Sequence, residues 1–493
     1  MNILLIYPEF PDTFWSFKYA LEFVGKRAPL PPLGLLTVAS MLPLDWSRRL
    51  VDTNVRRLRQ KDLDWADCAF ISAMSVQRES ARRIISRCKE AGLLVVAGGP
   101  LFTDEHGQFQ DVDHFVLNEA EVTLPGFLKD LSQNHPRRVY SSDQFADLHQ
   151  TPKPLWELLD LRRYSGMNIQ FSRGCPFNCD FCTVTVLLGH RVRMKTSGQI
   201  IDELDGLYKL GWRENVFFVD DNFIGNKEFL KNDLLPALID WREDKKGITF
   251  YTEASINLAD DMPLMEMMVE AGFNKVFVGI ETPDEKCLNE CRKLQNKNRD
   301  LLQDVKRIQS TGLEVQGGFI VGFDHDQPSI FQRQVDFIQQ SGIVTAMVGL
   351  LQAFPGTRLY ERMEKEGRLF GESSGDNVDG STNFRTVMEH GVLQDGYRKI
   401  LKHIYSPENY YRRIKTYLRN SRPIRTRATI QLWDIHALIL SFWRLGIVGR
   451  ERFHYWSLLI WTLFCHPRHL QQAVTLSIYG YHFRKMCDRH VIR

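Results

Sequence analysis

Neither of the two aromatic, apolar runs near the C-terminus, Ile435 to Val448 and Phe453 to Cys465, reaches the ~20 apolar residues that a bilayer-spanning helix needs, and Arg444 interrupts the first. The N-terminal MNILLIYPEF has no basic segment ahead of its apolar run and turns polar too soon for a secretory leader. Cysteine is sparse, and its nine copies in 493 residues, an odd number, do not suit a disulfide framework. A reducing cytosol is therefore the expected compartment, where clustered thiols serve metal or catalysis more often than bridging. No G-x-G-x-x-G occurs, which disfavours a nicotinamide dinucleotide site.

What is present is ordinary for a globular chain: 43% hydrophobic and 25% charged residues, over a length that suggests two to four domains. The net charge of +3 conceals an uneven spread. From Tyr397 onward 18 Lys and Arg stand against 4 Asp and Glu, whereas residues 1–396 hold 45 against 56. An acidic body carries a basic tail.

Short apolar runs alternate with helical patterns over the first ~130 residues. Strands are expected at Asn2 to Tyr7, Arg49 to Asp52, Cys68 to Ala73, Leu93 to Ala97 and His114 to Leu117, with helices such as Leu33 to Met41 and Ser80 to Ala91 between them. That alternation reads as a doubly wound parallel sheet whose ligands sit at the carboxyl ends of the strands. A connector containing PKPLWELLD follows, and the pattern restarts. Six further strands, at Met167 to Arg173, Val216 to Asp220, Thr249 to Ala254, Val276 to Ile280, Val315 to Val321 and Ala346 to Leu351, alternate with helices such as Ser197 to Leu210 and Pro328 to Gln340. Six strand-helix units fall short of the eight that close a TIM barrel, so an open, partial barrel is expected. The chain then divides as a Rossmann-like domain over 1–145, a connector over 146–165, a (β/α)6 barrel over 166–370, and a basic, aromatic, mostly helical region over 371–493 that begins with the polar loop GESSGDNVDGSTN.

Cys175, Cys179 and Cys182 form C-x-x-x-C-x-x-C directly after the first barrel strand. Three thiolates so spaced suit three irons of a cubane cluster, since sulfur coordination selects iron-sulfur or zinc. No fourth cysteine lies nearby, which leaves one iron open. A zinc knuckle or coincidental thiols are the competing readings. Cys287 and Cys291, four apart, share a helical face without a third partner, and Cys68, Cys88, Cys465 and Cys487 read as small apolar residues.

The cysteine spacing, its place after strand one of a six-unit barrel, and Phe181 ahead of the last cysteine resemble the radical S-adenosylmethionine (SAM) superfamily. The resemblance implies that the open iron chelates SAM. It further implies that Asp220 and Asp221 in Val219-Asp220-Asp221-Asn222 hold the SAM amine, that Glu253 and Ser255 reach the ribose, and that Glu281, Ile320 in Gly318-Phe319-Ile320-Val321-Gly322, and Gln352 complete the pocket. Arg191 and Arg193 either pair with the SAM carboxylate or cap a solvated helix start. Singly, each of these residues could equally be a capping carboxylate or a glycine needed for packing.

A doubly wound domain ahead of such a barrel resembles the cobalamin-binding domain of cobalamin-dependent radical SAM enzymes, and the hopanoid C-2 methylase group in particular, through MNILLIYPEFPDTFWSF, VVAGGP, QFSRGCPFNCDFC, FFVDDNFIGN, VFVGIETP and GGFIVGFD. The match extends over about residues 1–417. Ser72, Met74, Gly98, Gly99, Pro100 and Glu119 are the implied cobalamin contacts. The usual D-x-H-x-x-G is absent after strand one, where Pro8-Glu9-Phe10-Pro11 stands, so no histidine would bind cobalt from below. A generic nucleotide-binding or purely structural module is the alternative.

The resemblance implies three cofactors, a [4Fe-4S] cluster, SAM and cobalamin, and a C-methyltransferase acting on an unactivated carbon of a small-molecule substrate, a polycyclic lipid such as a hopanoid. One SAM would methylate cobalt, and a second, cleaved at the cluster, would generate the radical that takes hydrogen from the substrate. An oxidative cyclase or rearrangement enzyme with the same cofactors, and a non-catalytic membrane-docked redox or cobalamin sensor, are the alternatives. A low-potential donor such as ferredoxin or flavodoxin is the expected electron source. The tail's tryptophans, Trp433, Trp443, Trp456 and Trp461, beside many Arg and His point to helices lying in an anionic membrane interface through residues 433–465, or else to a helical cap on the barrel. The expected location is cytoplasmic with peripheral contact at the inner membrane face. No RNA-binding module is recognisable, and no nucleic-acid partner is expected. Tyr360, Glu361 and His390 are further candidates to face substrate.

Overall fold

The computed structural model describes residues 1–376, 379–423 and 432–490. Part of the polar loop and of the basic tail, residues 377–378, 424–431 and 491–493, lies outside the described residues.

Six strands form the first sheet: β1 Asn2–Tyr7, β2 Ser47–Asp52, β3 Cys68–Ser72, β4 Leu94–Gly98, β5 His114–Val116 and β6 Val139–Tyr140. Their spatial order is β2-β1-β3-β4-β5-β6, and every pairing is parallel. β1 is an inner strand covered on both faces, which is why Ile3, Leu4, Leu5 and Ile6 form an unbroken apolar run at 0% exposure. Burying each stabilises the sheet by about 2 kcal/mol. The helix Arg78–Glu90 covers one face with Ala81, Ile84, Ile85 and Cys88 and turns Arg82, Arg83 and Arg87 to solvent. Strand order reverses between β1 and β3, the switch point at which such sheets open a crevice.

The second sheet contains β7 Met167–Ile169, β10 Asn215–Phe218, β11 Thr249–Glu253, β12 Phe273–Glu281, β13 Glu314–Val321 and β14 Ala346–Leu350. These run parallel in the order β7-β10-β11-β12-β13-β14, six strands whose two ends, β7 and β14, do not pair with each other among the described residues, as expected of an open barrel. The first barrel strand is broken after Ile169. Ser172–Arg173 (β8) instead pairs antiparallel with Arg193–Met194 (β9), making a hairpin whose loop carries the cysteines.

After the barrel come the helices His390–Ile404, Pro407–Asn420, Leu432–Ser441, Arg452–Cys465 and Leu470–His490. They are docked on the barrel by specific polar ties. Arg413, fully buried, donates to Gln339 Oε1 at 2.5 Å and to the carbonyls of Ile404 and Val344 at 2.8 and 3.1 Å. Tyr405 Oη donates to the Ala346 carbonyl at 2.6 Å. Near the other end of the chain, Phe14 stacks on Phe483 at 4.3 Å, and its carbonyl lies 3.1 Å from His482 Nε2. Cys68, Cys88 and Cys487 are buried as expected of small apolar residues, but Cys465, read the same way, ends its helix exposed.

Candidate functional site

The cysteine loop is built on glycines that no other residue could replace. Gly174, at φ 92°, would place a Cβ 2.5 Å from the Arg191 carbonyl oxygen, so only glycine lets the two arms of the loop meet. Cys175 N donates to the Gly189 carbonyl at 3.2 Å, closing the loop at its neck. Cys175, Cys179 and Cys182 are half-buried on its inner side. No three His, Cys, Asp or Glu side chains among the described residues converge on a point that would hold a single ion. A cubane takes each thiolate on a different iron. Burial raises all three thiols, Cys182 to about 12, and the Lys293 ammonium opposes that shift at each.

Lys293 was not singled out in the sequence, nor was Gln295, whose Nε2 lies 3.7 Å from Cys179 Sγ. Lys293 Nζ donates to Glu281 Oε1 at 2.7 Å, with both side chains nearly buried. Glu281 itself adopts φ 61°, a left-handed conformation costly for a side-chain-bearing residue, at the end of β12. Gly279 makes room for the pair, since a Cβ there would stand 2.3 Å from Glu281 Oε1 and 2.8 Å from Lys293 Nζ. Gly279 and Glu281 carried a signal in the sequence, at the end of the fourth barrel strand; a lone basic residue in a loop carries none.

The carboxylates at the ends of β10 and β11 divide by role. Asp220 accepts from Phe171 N at 3.1 Å, from Ser172 Oγ at 2.5 Å and from Ser172 N, so its oxygens are spent anchoring the base of the cysteine hairpin. Its neighbour Asp221 faces open space. Burial pushes Asp220 up to about 7, Asp221 to about 6 and Glu253 to about 8, with the charge of Asp221 adding to the shift at Glu253. Neither Asp221 nor Glu253 has an ion-pair partner among the described residues. The charged forms of two acids so buried would be stabilised by a cationic ligand. Ser255 is turned aside, its hydroxyl 3.2 Å from Asn222 Oδ1 and 2.5 Å from Asn257 Oδ1. Ile320 joins Phe181 in an apolar cluster with Phe323 and Leu351. Gln352, expected in the pocket, ties down the polar loop instead, with Nε2 3.1 Å from Ser374 Oγ and Oε1 accepting from Ser374 N at 3.0 Å.

Between the two sheets lies a cleft of about 780 Å³. Ser72, Met74, Gly98, Gly99, Pro100 and Glu119 all line its Rossmann-like wall, and Asp221, Arg173 and the short helix Val184–Leu188 after the cysteines line the opposite wall. Gly98 and Gly99 form a cradle: a Cβ on either would lie 2.5 Å from the Val116 carbonyl or from Ser72 Oγ. Both are the protein's own atoms, so glycine at these positions lets the end of β4 close against its neighbouring strands at the cleft wall. No histidine lines the cleft among the described residues.

Two expected ligand contacts meet each other instead. Arg193, read as facing SAM, donates two hydrogen bonds to Glu119, read as facing cobalamin, at 2.8 and 2.7 Å. Arg173 makes the parallel pair with Glu121, at 3.1 and 2.7 Å. Arg191 is exposed, as are Glu361 and His390, while Tyr360 is half-buried. Cys287 and Cys291 are buried behind the cysteine loop, where the Cys291 carbonyl accepts from Asp180 N at 3.0 Å.

A six-strand parallel barrel that presents C-x-x-x-C-x-x-C after its first strand, with paired acids at the next strand ends, defines a radical SAM protein. The Radical SAM superfamily model matches residues 169–338, and a domain of unknown function, DUF4070, matches 357–492. An uncharacterized methyltransferase of Synechocystis sp. is 40% identical over the whole of this chain and 93% of its own length. The hopanoid C-2 methylase of Rhodopseudomonas palustris is 34% identical, over 92% of this chain and 88% of that one. The chain belongs to the radical SAM methyltransferase family that includes these two proteins. Its fold is also similar to that of the cobalamin-dependent S-adenosylmethionine radical enzyme OxsB, with a TM-score of 0.61, 14% identity, and coverage of 98% of this chain and 79% of that one.

Proposed function

We propose that the protein is a cobalamin-dependent radical SAM C-methyltransferase that methylates an unactivated carbon of a polycyclic lipid such as a hopanoid. One observation carries this reading: Gly98 and Gly99 of the first sheet, and Thr183, Val184, Leu187 and Leu188 just after the cysteines of the second, line a single cleft, so groups held at its two walls would lie side by side. When bound, the cluster with SAM supplies a hydrogen-abstracting radical and cobalamin supplies the methyl group. Cys175, Cys179 and Cys182 would hold the cluster. Asp221 and Glu253 would neutralise the cationic groups of SAM, and Lys293, held by Glu281, would offset the charge of the thiolates. Ser72, Met74, Gly98, Gly99 and Pro100 would seat cobalamin.

The tail supports peripheral membrane contact. Trp443, Val448, Phe453, Ile460 and Phe464 are 58, 63, 74, 54 and 80% exposed along the helical segment after Ser441 and the helix Arg452–Cys465. No helix is long and apolar enough to cross a membrane among the described residues. Apolar rings beside an excess of arginine suit a helix pair lying in an anionic interface, where a lipid substrate would be met. A low-potential ferredoxin or flavodoxin would deliver the electrons.

Anaerobically reconstituted protein, given SAM, methylcobalamin, a strong reductant and a lipid extract, should form 5′-deoxyadenosine and S-adenosylhomocysteine together with a lipid heavier by one methylene. A turnover product without a new methyl group, or no cleavage of SAM with any extract, would overturn the reading. Comparing lipid mass spectra with and without the gene identifies the substrate.

A further inference from the structure

The three cysteine sulfurs each accept a hydrogen bond from nitrogen, and the donors differ in kind. Cys175 and Cys182 accept from the main-chain N–H two residues further on, those of Phe177 and Val184. Contacts of that kind come with the turn of the loop and are open to almost any sequence that closes it. The donor to Cys179 is instead a side chain, Gln295 Nε2 at 3.7 Å, which lies 116 positions further along the chain. The bond is longer than one to oxygen because sulfur is the larger atom.

The segment that carries Gln295 is fastened on both sides of it. It follows the helix Glu285–Glu290, and at its start the Cys291 carbonyl accepts from Asp180 N in the cysteine loop at 3.0 Å. Lys293 Nζ donates to Glu281 Oε1 at 2.7 Å. Asn296, at 0% exposure, donates through Nδ2 to the carbonyls of Gly279 and Ile280, both at 3.0 Å, where the register of β12 against β13 slips. Residue 295 thus stands between two tethered neighbours, and its amide is held toward the sulfur. The other end of the same amide shows what this arrangement sacrifices. Gln295 Oε1 is buried without a hydrogen-bond partner among the described residues, which is destabilising for an acceptor taken out of water. A leucine would fill the space without that penalty, so packing does not account for the residue. The sulfur does.

We propose that Gln295 sets the reduction potential of the cluster through its hydrogen bond to the Cys179 sulfur, and so holds the cluster within reach of its electron donor. The inference rests on the assignment of the cluster to Cys175, Cys179 and Cys182. Reduction adds one electron to the cluster, drawn from the low-potential donor, and the thiolate sulfurs share the added negative charge. An N–H aimed at a sulfur binds more strongly as that charge grows, so it favours the reduced form and raises the potential. At Cys175 and Cys182 the main chain supplies this effect, and no substitution removes it. At Cys179 it depends on one side chain. Lys293 acts on all three sulfurs through a charge that Glu281 partly cancels, whereas Gln295 acts on one of them through a dipole and leaves the net charge unchanged.

The test is a redox titration of the full-length, anaerobically reconstituted protein in the absence of SAM, followed by the electron paramagnetic resonance of the reduced cluster, on the wild type, Gln295→Leu and Gln295→Glu. Iron and sulfide content is measured on each first. Leucine removes the donor and fills its place, while glutamate keeps the size and, ionised, offers only acceptors. At the wild-type midpoint the ratio of reduced to oxidised cluster should fall by about three- to tenfold in Gln295→Leu, tenfold corresponding to about 59 mV for one electron. Gln295→Glu should fall at least as far. SAM affinity, titrated separately on the oxidised protein, should stay at its wild-type value. Fully loaded variants with the wild-type midpoint would overturn the proposal. So would loss of the cluster from both variants, because a residue that only tunes is dispensable for assembly. Weaker SAM binding at an unchanged midpoint would also overturn it and assign the amide to SAM instead. Wild-type protein that takes up no iron would sink the cluster assignment and this inference with it, whereas an iron-loaded protein indifferent to residue 295 sinks this inference alone.

Discussion

Arg193 and Glu119 face each other across the cleft through two hydrogen bonds, one side chain from the cysteine hairpin and the other from the end of β5. With side chains 15% and 4% exposed, the pair is shielded enough for its loss to be felt. Arg193→Met strands Glu119, but Arg173 remains 3.3 Å from the same carboxylate, so the expected cost is about 2 kcal/mol rather than the larger penalty of a fully orphaned charge. Because the pair joins the two walls, its loss should loosen one cofactor relative to the other. Methyl transfer should fall further than 5′-deoxyadenosine formation, which a product ratio reads directly.

The acids at the strand ends make the ligand-free protein sensitive to alkali. The pKa of folded Glu253, about 8, lies above its ordinary value, so its contribution is full below about pH 4.5 and is lost as pH rises through 8. Asp221, at about 6, adds to the same loss at lower pH. Melting temperature measured from pH 5 to 8.5 should therefore decline, and Glu253→Gln should flatten that decline. Saturating SAM should do the same, since a bound cation favours the ionised acids.

Gly279→Ala is a sharp probe of the Lys293–Glu281 pair. The added methyl overlaps both partners, and relief requires one of them to move. A loss of about 2 kcal/mol in stability is expected, together with weaker SAM binding by equilibrium titration. Gly211→Ala is the control, because φ 90° strains its backbone although nothing lies within 4 Å of its Cβ.

Phe453→Ser and Phe464→Ser should change stability by less than about 0.5 kcal/mol, since both rings already stand in solvent. Co-sedimentation with vesicles containing anionic lipid should nevertheless drop several-fold. Retention of full vesicle binding in the double variant would remove the membrane reading of these helices.

The alternation of strands and helices was legible because parallel strands buried on both faces leave unbroken apolar runs, as in Ile3 to Ile6. β6 was missed for the converse reason: two residues at a sheet edge leave no period to read. The cysteine spacing and the glycines at 98, 99 and 279 declared themselves because few chemistries need them. Ion-pair partners did not. Nothing in the chain couples residue 193 to residue 119, or 293 to 281, until the fold brings them together. The tail misled in one respect, since counting its arginines treats them as surface charge, whereas Arg413 lies in the core donating to carbonyls.

Phe14 and Phe483, stacked on one another, come from segments that a ribosome delivers almost a full synthesis apart. The barrel strand that carries Lys275 and Phe277, met by Tyr479 from the late segment and by Trp15 from the early one, therefore completes its packing only once the last helix is present.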